Sequence, residues 1–178
     1  MAFTPEDGSG VAGANAALTL QEFKDHHDDR GRDYAGAGYT DAQIQAAIVK
    51  ATDYSEKRWG TQYRGEKGSS DQGLSWPRTS AMDDQGRLIT ERPSEWIKGV
   101  AEYAWLSLTL GTELAPVGTN VAGRVTEETV GPITTKYSDK TTPMVTTGTL
   151  LQNLPEYPEA DLWFAELLDD SPRRLIRG

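Results

Sequence analysis

Residues 94–110 carry apolar side chains at helical spacing over so much of their length that they constrain the whole fold. The apolar positions are Trp96, Ile97, Val100, Tyr103, Ala104, Trp105, Leu106 and Leu108. On a helix they cover more than half of the circumference, which is typical of a buried element. Pro93 precedes the segment at a first-turn position, where its missing N–H costs little, and Gly111 follows as a stop. The sequence therefore predicts a central helix from Ser94 to Leu110.

Two more helices are predicted before it, each opened by a capping box. Thr19 is followed three residues later by Glu22, and Thr40 is followed by Gln43 in the same way. The first helix is expected to end at Gly31 and the second at Gly60. The apolar stripe of the second helix consists of Ile44, Ala47, Ile48, Ala51 and Tyr54.

Residues 125–137 predict a β-hairpin, because two short β-prone runs flank Gly131-Pro132. The predicted fold class is mainly α: a small bundle of three to four helices with this hairpin and extended N- and C-terminal arms. We expect an N-terminal arm at 1–18, a helical domain at 19–138, and an extended segment with a C-terminal tail at 139–178.

Charge and composition restrict the function. The chain has 178 residues, 27 of them acidic and 18 basic, for a formal net charge of −9, and it has no cysteine. A net negative charge disfavours binding of nucleic-acid phosphates over a large part of the surface, but it does not exclude a local basic patch. The missing cysteines exclude disulfides and thiolate metal sites and fit synthesis in a reducing cytoplasm. No apolar run approaches about eighteen residues, so no membrane span is predicted.

Two motifs suggest cofactor or metal chemistry. Residues 8–13, GSGVAG, match the dinucleotide-binding fingerprint, but that fingerprint works only between a buried strand and a helix, and MAFTPED cannot be such a strand. In residues 26–29, HHDD, neighbouring helical side chains point about 100° apart and do not converge on one ion. We expect no cofactor, metal site or catalytic residue, and hence no enzyme.

The segment LSWPR at 74–78 allows two interpretations. Trp76 could stack on a base while Arg78 contacts a phosphate. Alternatively, Pro77 holds Trp76 in an extended conformation, Trp76 anchors the core, and Arg78 stays outside. The second interpretation is favoured, because one aromatic side chain makes a poor platform for nucleic acid.

Several stretches together give the chain a resemblance to a known family. They are Leu20 to Gly31, Thr40 to Trp59, Leu74 to Arg78, Pro93 to Leu110, Glu127 to Tyr137 and Arg174 to Gly178. In this order they resemble tailed-phage head–tail adaptor (connector) proteins, a group also catalogued as DnaT-like single-stranded DNA-binding proteins. The segment 139–161 departs from that family by its length.

This resemblance implies a structural adaptor of the phage neck, made in the host cytoplasm and located at the head–tail junction of the virion. It implies a ring of twelve subunits between the portal protein and a head-completion or tail-terminator protein. Double-stranded DNA would pass its lumen without specific binding. The alternative function is a single-stranded DNA-binding replication accessory protein.

The resemblance also assigns interface residues. Arg78, Asp83, Asp84 and Arg87 would face a neighbouring subunit or the next ring. The portal would be contacted by Leu162, Trp163, Phe164, Leu167, Leu168, Arg173, Arg174 and Arg177. Residues 161–168 predict a short amphipathic helix, which is expected to fold on a partner or, alternatively, to pack on its own bundle.

Overall fold

A computed structural model describes residues 2–89, 91–111, 114 and 156–169, and the backbone of 127–130 and 133–136. The chain divides into two compact units, Met1–Leu114 together with Glu156–Gly178, and Ala115–Pro155. The helices are α1 (Leu20–Asp28), α2 (Asp41–Trp59), α3 (Ser94–Leu110) and α4 (Pro158–Asp161), and a 3₁₀ helix (Leu162–Leu167) follows α4. The mainly α bundle predicted from the sequence is confirmed. No described helix has the length and apolar character needed to cross a bilayer.

The predicted helix starts follow the capping residues closely, whereas α1 ends at Asp28, before the predicted stop at Gly31. The Glu22 amide donates to the Thr19 hydroxyl at 3.1 Å, and the Thr19 amide donates to the Glu22 carboxylate at 2.7 Å. Thr40 and Gln43 repeat this reciprocal arrangement at the start of α2. Gly111 ends α3 with a φ of +61°, a conformation that costs glycine little.

The core lies where α3 packs on α2 and on the C-terminal segment. Its largest fully buried side chains include Trp76, Trp96, Tyr103, Phe23, Phe164, Ile44 and Ile48. Gly99 allows the C-terminal segment to approach α3, because a Cβ there would lie 2.4 Å from the Phe164 ring. The Phe164 ring also stacks on Tyr103, with ring centroids 5.4 Å apart.

The described residues include two small antiparallel ribbons, one in each unit. In the second unit, β3 (Glu127–Val130) pairs with β4 (Ile133–Lys136) in the register Val130↔Ile133, which confirms the predicted hairpin. In the first unit, β1 (Glu66–Lys67) pairs with β2 (Arg78–Thr79). Strands of two residues are too short to give a periodic pattern, so the sequence does not predict this ribbon.

The described parts of the terminal segments pack against the helices. Ala16, Ala17 and Leu18 are fully buried, and the Glu6 amide donates to the Ala16 carbonyl at 2.8 Å, so residues 2–18 pack on the helices. Small side chains and glycine turns allow this close packing without an amphipathic pattern. The remainder of the predicted tail, apart from 156–169, lies outside the described residues.

Candidate functional site: a cleft at Trp163

The Trp76–Arg78 segment faces the interior of the protein. Trp76 is 0% exposed, as expected of a core anchor, and its ring lies 5.8 Å from that of Tyr63. The Arg78 guanidinium donates to the backbone carbonyls of Tyr63 at 3.2 Å, Arg64 at 2.6 Å and Gly65 at 2.5 Å. The expectation that the Arg78 side chain stays outside the protein is therefore wrong, because its guanidinium is hydrogen-bonded to the backbone carbonyls of the loop before β1.

The turn at residues 83–87 lies on the surface. The Asp83 carboxylate accepts the amide of Arg87 at 2.9 Å and its guanidinium at 2.7 Å, which stabilises the turn internally. Asp84 forms a 2.6 Å ion pair with Arg64. The Arg87 side chain is 71% exposed. The assignment of this turn to a subunit interface stays a prediction.

The glycine-rich loop at residues 8–13 encloses an anion that belongs to the chain itself. The carboxylate of Glu6, only 1% exposed, accepts the amides of Gly8 at 3.0 Å, Gly10 at 2.9 Å and Val11 at 3.0 Å. Successive backbone amides commonly form such anion-binding concavities. Since Glu6 occupies this one, the three amides are not available to a pyrophosphate.

The HHDD run contributes both histidines to a buried cluster. His26 Nε2 donates to Glu102 at 2.7 Å, and the Arg32 guanidinium donates to the other Glu102 oxygen. His27 Nε2 lies 3.2 Å from the Ala101 carbonyl, and its Nδ1 lies 3.3 Å from Arg32 Nη1. A carbonyl only accepts and a guanidinium only donates, so the His27 ring is neutral and its tautomer is fixed.

The pKa shifts of His27 and Glu102 indicate that this buried cluster is an ion-pair network. Burial, followed by the nearby charge of His26, lowers the pKa of His27 to about 4. Burial tends to raise the pKa of Glu102, but hydrogen bonds from His26 and Arg32 outweigh it and lower that pKa. One ligand atom from each of His26, His27 and Glu102 lies within 4.8 Å of the others, which is metal-like spacing. However, protein partners occupy these ring nitrogens and Arg32 would repel a cation, so we assign no metal site.

The C-terminal segment divides the predicted portal-contact residues into buried and accessible ones. Phe164 and Leu167 are 0% and 2% exposed, so neither can offer its side chain to a partner in this arrangement. The segment packs on its own bundle, which was the alternative expectation. Leu162 is 73% exposed and Trp163 is half-buried. Leu168 is also half-buried, whereas Arg173, Arg174 and Arg177 lie outside the described residues.

The accessible residues border a cleft of about 480 Å³, which we call the Trp163 cleft. The lining residues are Arg30, Glu95, Glu102, Glu159, Leu162, Trp163 and Glu166. Two cations flank the indole: Lys98 Nζ lies 5.0 Å and the Arg30 guanidinium carbon 5.9 Å from the Trp163 ring centroid. The site thus combines an aromatic face, two basic side chains and several carboxylates.

The carboxylates of the cleft differ in how far they are neutralised. Arg32 bridges Glu102 and Glu159, with a distance of 2.7 Å to the latter, and thereby links α3 to α4. Glu95 accepts a hydrogen bond from the neutral hydroxyl of Ser94, at 2.8 Å. Within the described part of the chain, Glu95 and Glu166 form no ion pair. These two carboxylates can therefore accept hydrogen bonds from a ligand.

Sequence reasoning identified Trp163 and Leu162 but missed the groups around them. A signal for part of the site does exist, because Glu95, Lys98 and Glu102 interrupt the apolar α3 at i, i+3 and i+7. Polar residues at that spacing share one helix face. Arg30 has no comparable signal, since it follows the end of α1 and its position depends on how α1 packs.

Comparison with known proteins gives one relationship. A family model described as "Putative DnaT-like ssDNA binding protein" matches residues 1–178, the whole chain. No curated protein and no solved structure matches the chain.

Proposed function

The chain belongs to the DnaT-like ssDNA binding protein family, and from this premise we propose that it binds single-stranded DNA at the Trp163 cleft. The observation that carries the proposal is the family match over the entire chain. The structural support is Trp163, a half-buried indole with a basic side chain 5.0 Å and another 5.9 Å from its centroid.

The residues at the cleft supply the contacts that a single nucleotide needs. An unpaired base stacks on an aromatic side chain, and a neighbouring cation binds the phosphate. Trp163 serves as the stacking surface, while Arg30 and Lys98 serve as phosphate contacts. A volume of about 480 Å³ falls within the range of small-ligand sites.

The carboxylates give this contact a base preference. Carboxylate oxygens accept hydrogen bonds from exocyclic amino groups such as N4 of cytosine, whereas thymine offers no such amino group. In this proposal Glu95 and Glu166, which line the cleft and carry no ion pair in the described part of the chain, accept them. We therefore expect bases with an amino group to bind more tightly than thymine.

The net charge limits the strength of binding. A chain with a charge of −9 and two cations at the site neutralises about two phosphates. For single strands this corresponds to a loss of affinity of about five- to tenfold between 50 and 200 mM salt. Such a shallow dependence distinguishes the cleft from a basic groove.

Fluorescence anisotropy with labelled 15-nucleotide strands tests the proposal. We expect oligo-dC to bind more tightly than oligo-dT, and Trp163→Ala to weaken oligo-dC binding about tenfold or more through the lost stacking. The matched control is Lys67→Ala, which removes an exposed cation outside the cleft and should change affinity little. Equal affinities for oligo-dC and oligo-dT, unchanged by Trp163→Ala, would show that DNA does not bind at the cleft. The absence of binding even at low salt would contradict the proposed function.

A second candidate is the structural adaptor of the phage neck, in a twelve-subunit ring between portal and head-completion or tail-terminator proteins. The observation that favours it is the charge of −9, because an acidic lumen would keep duplex DNA from adhering. Mass spectrometry of purified particles separates the two functions. A virion component present at a ring stoichiometry supports the adaptor, and absence from particles contradicts it.

A further inference from the structure

Arg32 lies at the border of the Trp163 cleft, because both of its carboxylate partners line that cleft. Its guanidinium donates through Nη1 to Glu102 and through Nη2 to Glu159, the latter at 2.7 Å. We propose that Arg32 is a third phosphate-binding residue of the cleft and that Glu159 masks it, so that a strand binds by displacing Glu159. This role rests on the proposed binding of single-stranded DNA, to which it adds a residue and an internal competitor.

The two carboxylate partners of Arg32 are held very differently. The Glu102 side chain is 3% exposed and also accepts a hydrogen bond from His26 at 2.7 Å. Breaking such a buried pair is strongly unfavourable. The Glu159 side chain is 74% exposed, and an ion pair with so exposed a carboxylate contributes little free energy. A ligand can therefore replace Glu159, while Glu102 keeps the guanidinium in place.

The position of the guanidinium does not depend on Glu159. The Arg32 Nη1 atom lies 3.3 Å from His27 Nδ1, and the guanidinium carbon lies 5.6 Å from the centroid of the Trp105 ring. The Arg32 amide donates to the His27 carbonyl at 2.9 Å. These contacts and the pair with Glu102 remain when Glu159 leaves, so the Nη2 arm stays ordered for a phosphate. Phosphate oxygens match the planar fork of a guanidinium.

Arg32 lies next to a residue that the proposed function already uses. The Arg30 Nε atom lies 3.5 Å from Glu102 Oε1, while Arg32 donates to Oε2 of the same carboxylate. The two guanidinium groups are therefore neighbours, and that of Arg30 also faces the Trp163 ring. A strand that stacks one base on Trp163 brings successive phosphates to Arg30 and Arg32.

The exchange of Glu159 for a phosphate determines the salt dependence. A phosphate that binds a cationic side chain releases its counterion. When the phosphate displaces Glu159, however, the freed carboxylate attracts a cation from solution and offsets that release. The masked Arg32 therefore leaves the salt dependence at the value set by Arg30 and Lys98. Without the charge of Glu159, the third contact should steepen the slope of log K against log salt by about 0.7.

Glu159→Gln tests the masking directly, since it removes the charge of an exposed side chain and keeps its shape. Fluorescence anisotropy with the labelled oligo-dC strand is measured at several salt concentrations. We expect affinity at low salt to rise about two- to fivefold, the equilibrium factor of an exposed ion pair. The matched control is Glu66→Gln, which makes the same charge change at an exposed position outside the cleft and should alter neither affinity nor slope.

A double-mutant cycle with Arg32→Gln separates unmasking from simple repulsion between Glu159 and the strand. Glutamine retains an amide donor for Glu102 but has no charge to unmask, so the gain from Glu159→Gln should vanish in this background. Arg32→Lys provides a second background if Arg32→Gln does not fold, because lysine can pair with Glu102 but has no second arm. A gain that persists in the folded background would overturn the proposal.

The remaining outcomes distinguish this proposal from the proposed function. Wild-type binding with equal affinities and slopes for Glu159→Gln and Glu66→Gln would overturn the masking alone. The absence of binding by the wild type and every variant would contradict the proposed function and the role of Arg32 with it. Binding by Glu159→Gln but not by the wild type or Glu66→Gln would support the masking.

Discussion

Trp76 and Trp163 each lie near an arginine, yet the two surroundings are opposite in kind. The Trp76 indole is fully buried, and the guanidinium of Arg78 donates its hydrogen bonds to backbone carbonyls of the loop before β1. Around Trp163 the indole is half-buried, and Arg30 and Lys98 flank it at the edge of an open cleft. The first region holds the fold together, and the second is available to a ligand.

The difference shows what a sequence motif leaves undecided. A tryptophan followed closely by an arginine fits both a stacking platform and a core anchor. The choice depends on where the arginine donors go, and backbone carbonyls left without partners compete for them strongly. At Arg78 the guanidinium donates to the carbonyls of the loop before β1. Arg30 also has protein partners, the His26 carbonyl at 2.8 Å and Glu102 at 3.5 Å, but its guanidinium lies beside the accessible ring of Trp163.

The largest expected effect separates the two tryptophans by stability. Trp76→Ala should lower the free energy of unfolding by about 3–5 kcal/mol, because it empties a fully buried site. Trp163→Ala should lower it by about 1 kcal/mol, since the side chain is only partly buried. Urea denaturation followed by circular dichroism measures both. Equal losses would break the comparison.

Lowering the pH should change the stability contributions of His27 and Glu56 in opposite directions. The pKa of His27 is lowered by burial to about 4, so the unfolded state takes up a proton near pH 6.5 while the folded state does not. This term therefore removes stability as the pH falls from about 6.5 to 4, by an amount on the order of 2–3 kcal/mol. His27→Gln should flatten the loss.

Glu56, which accepts a 2.6 Å hydrogen bond from Ser75 in the Trp76 region, should act in the opposite direction. Burial raises the pKa of this carboxyl, so the folded state holds its proton to higher pH than the unfolded state. Its contribution to stability is present at low pH and is lost as the pH rises through the folded pKa. Glu56→Gln should remove this term, and thermal melts from pH 4 to 8 compare the two variants. Identical pH profiles for both variants would refute the assignment.

A smaller effect than that of Trp76→Ala is expected for the two arginines. Arg78→Met should cost about 1–3 kcal/mol, because the carbonyls of Tyr63, Arg64 and Gly65 lose their donor. Arg30→Met, the control at the cleft, should cost less, because the Arg30 guanidinium donates to the carbonyl of His26 where Arg78 donates to several, and Glu102 keeps His26 and Arg32 as partners. Chemical denaturation of both variants provides the numbers. If the control proved the more damaging, Arg30 and not Arg78 would be the structural arginine.

The helices could be predicted because residues close to their ends determine where they begin or stop. Thr19 and Thr40 cap α1 and α2, Gly111 stops α3, and the apolar spacing between such signals assigns the faces. The β3–β4 hairpin has an equally local signal in Gly131-Pro132. Each of these features depends on residues within a few positions of one another.

The remaining features depend on contacts between distant residues. The burial of Ala16 and Ala17 comes from packing of small side chains, which carry no period in the sequence. The 3₁₀ helix docks because Gly99 leaves room for Phe164, a pairing of two residues 65 positions apart. The Trp163 cleft likewise needs α1, α3 and the C-terminal segment together, so only one part of it could be named beforehand.

Ultraviolet cross-linking of an oligo-dC strand to the full chain, followed by peptide mass spectrometry, tests the central claim most directly. The claim is that the Trp163 cleft, and not the Trp76–Arg78 segment, contacts single-stranded DNA. We predict cross-links at Trp163 and its neighbours Leu162 and Arg30, lost in Trp163→Ala. Cross-links confined to residues 74–78, or distributed without regard to the cleft, would contradict the account.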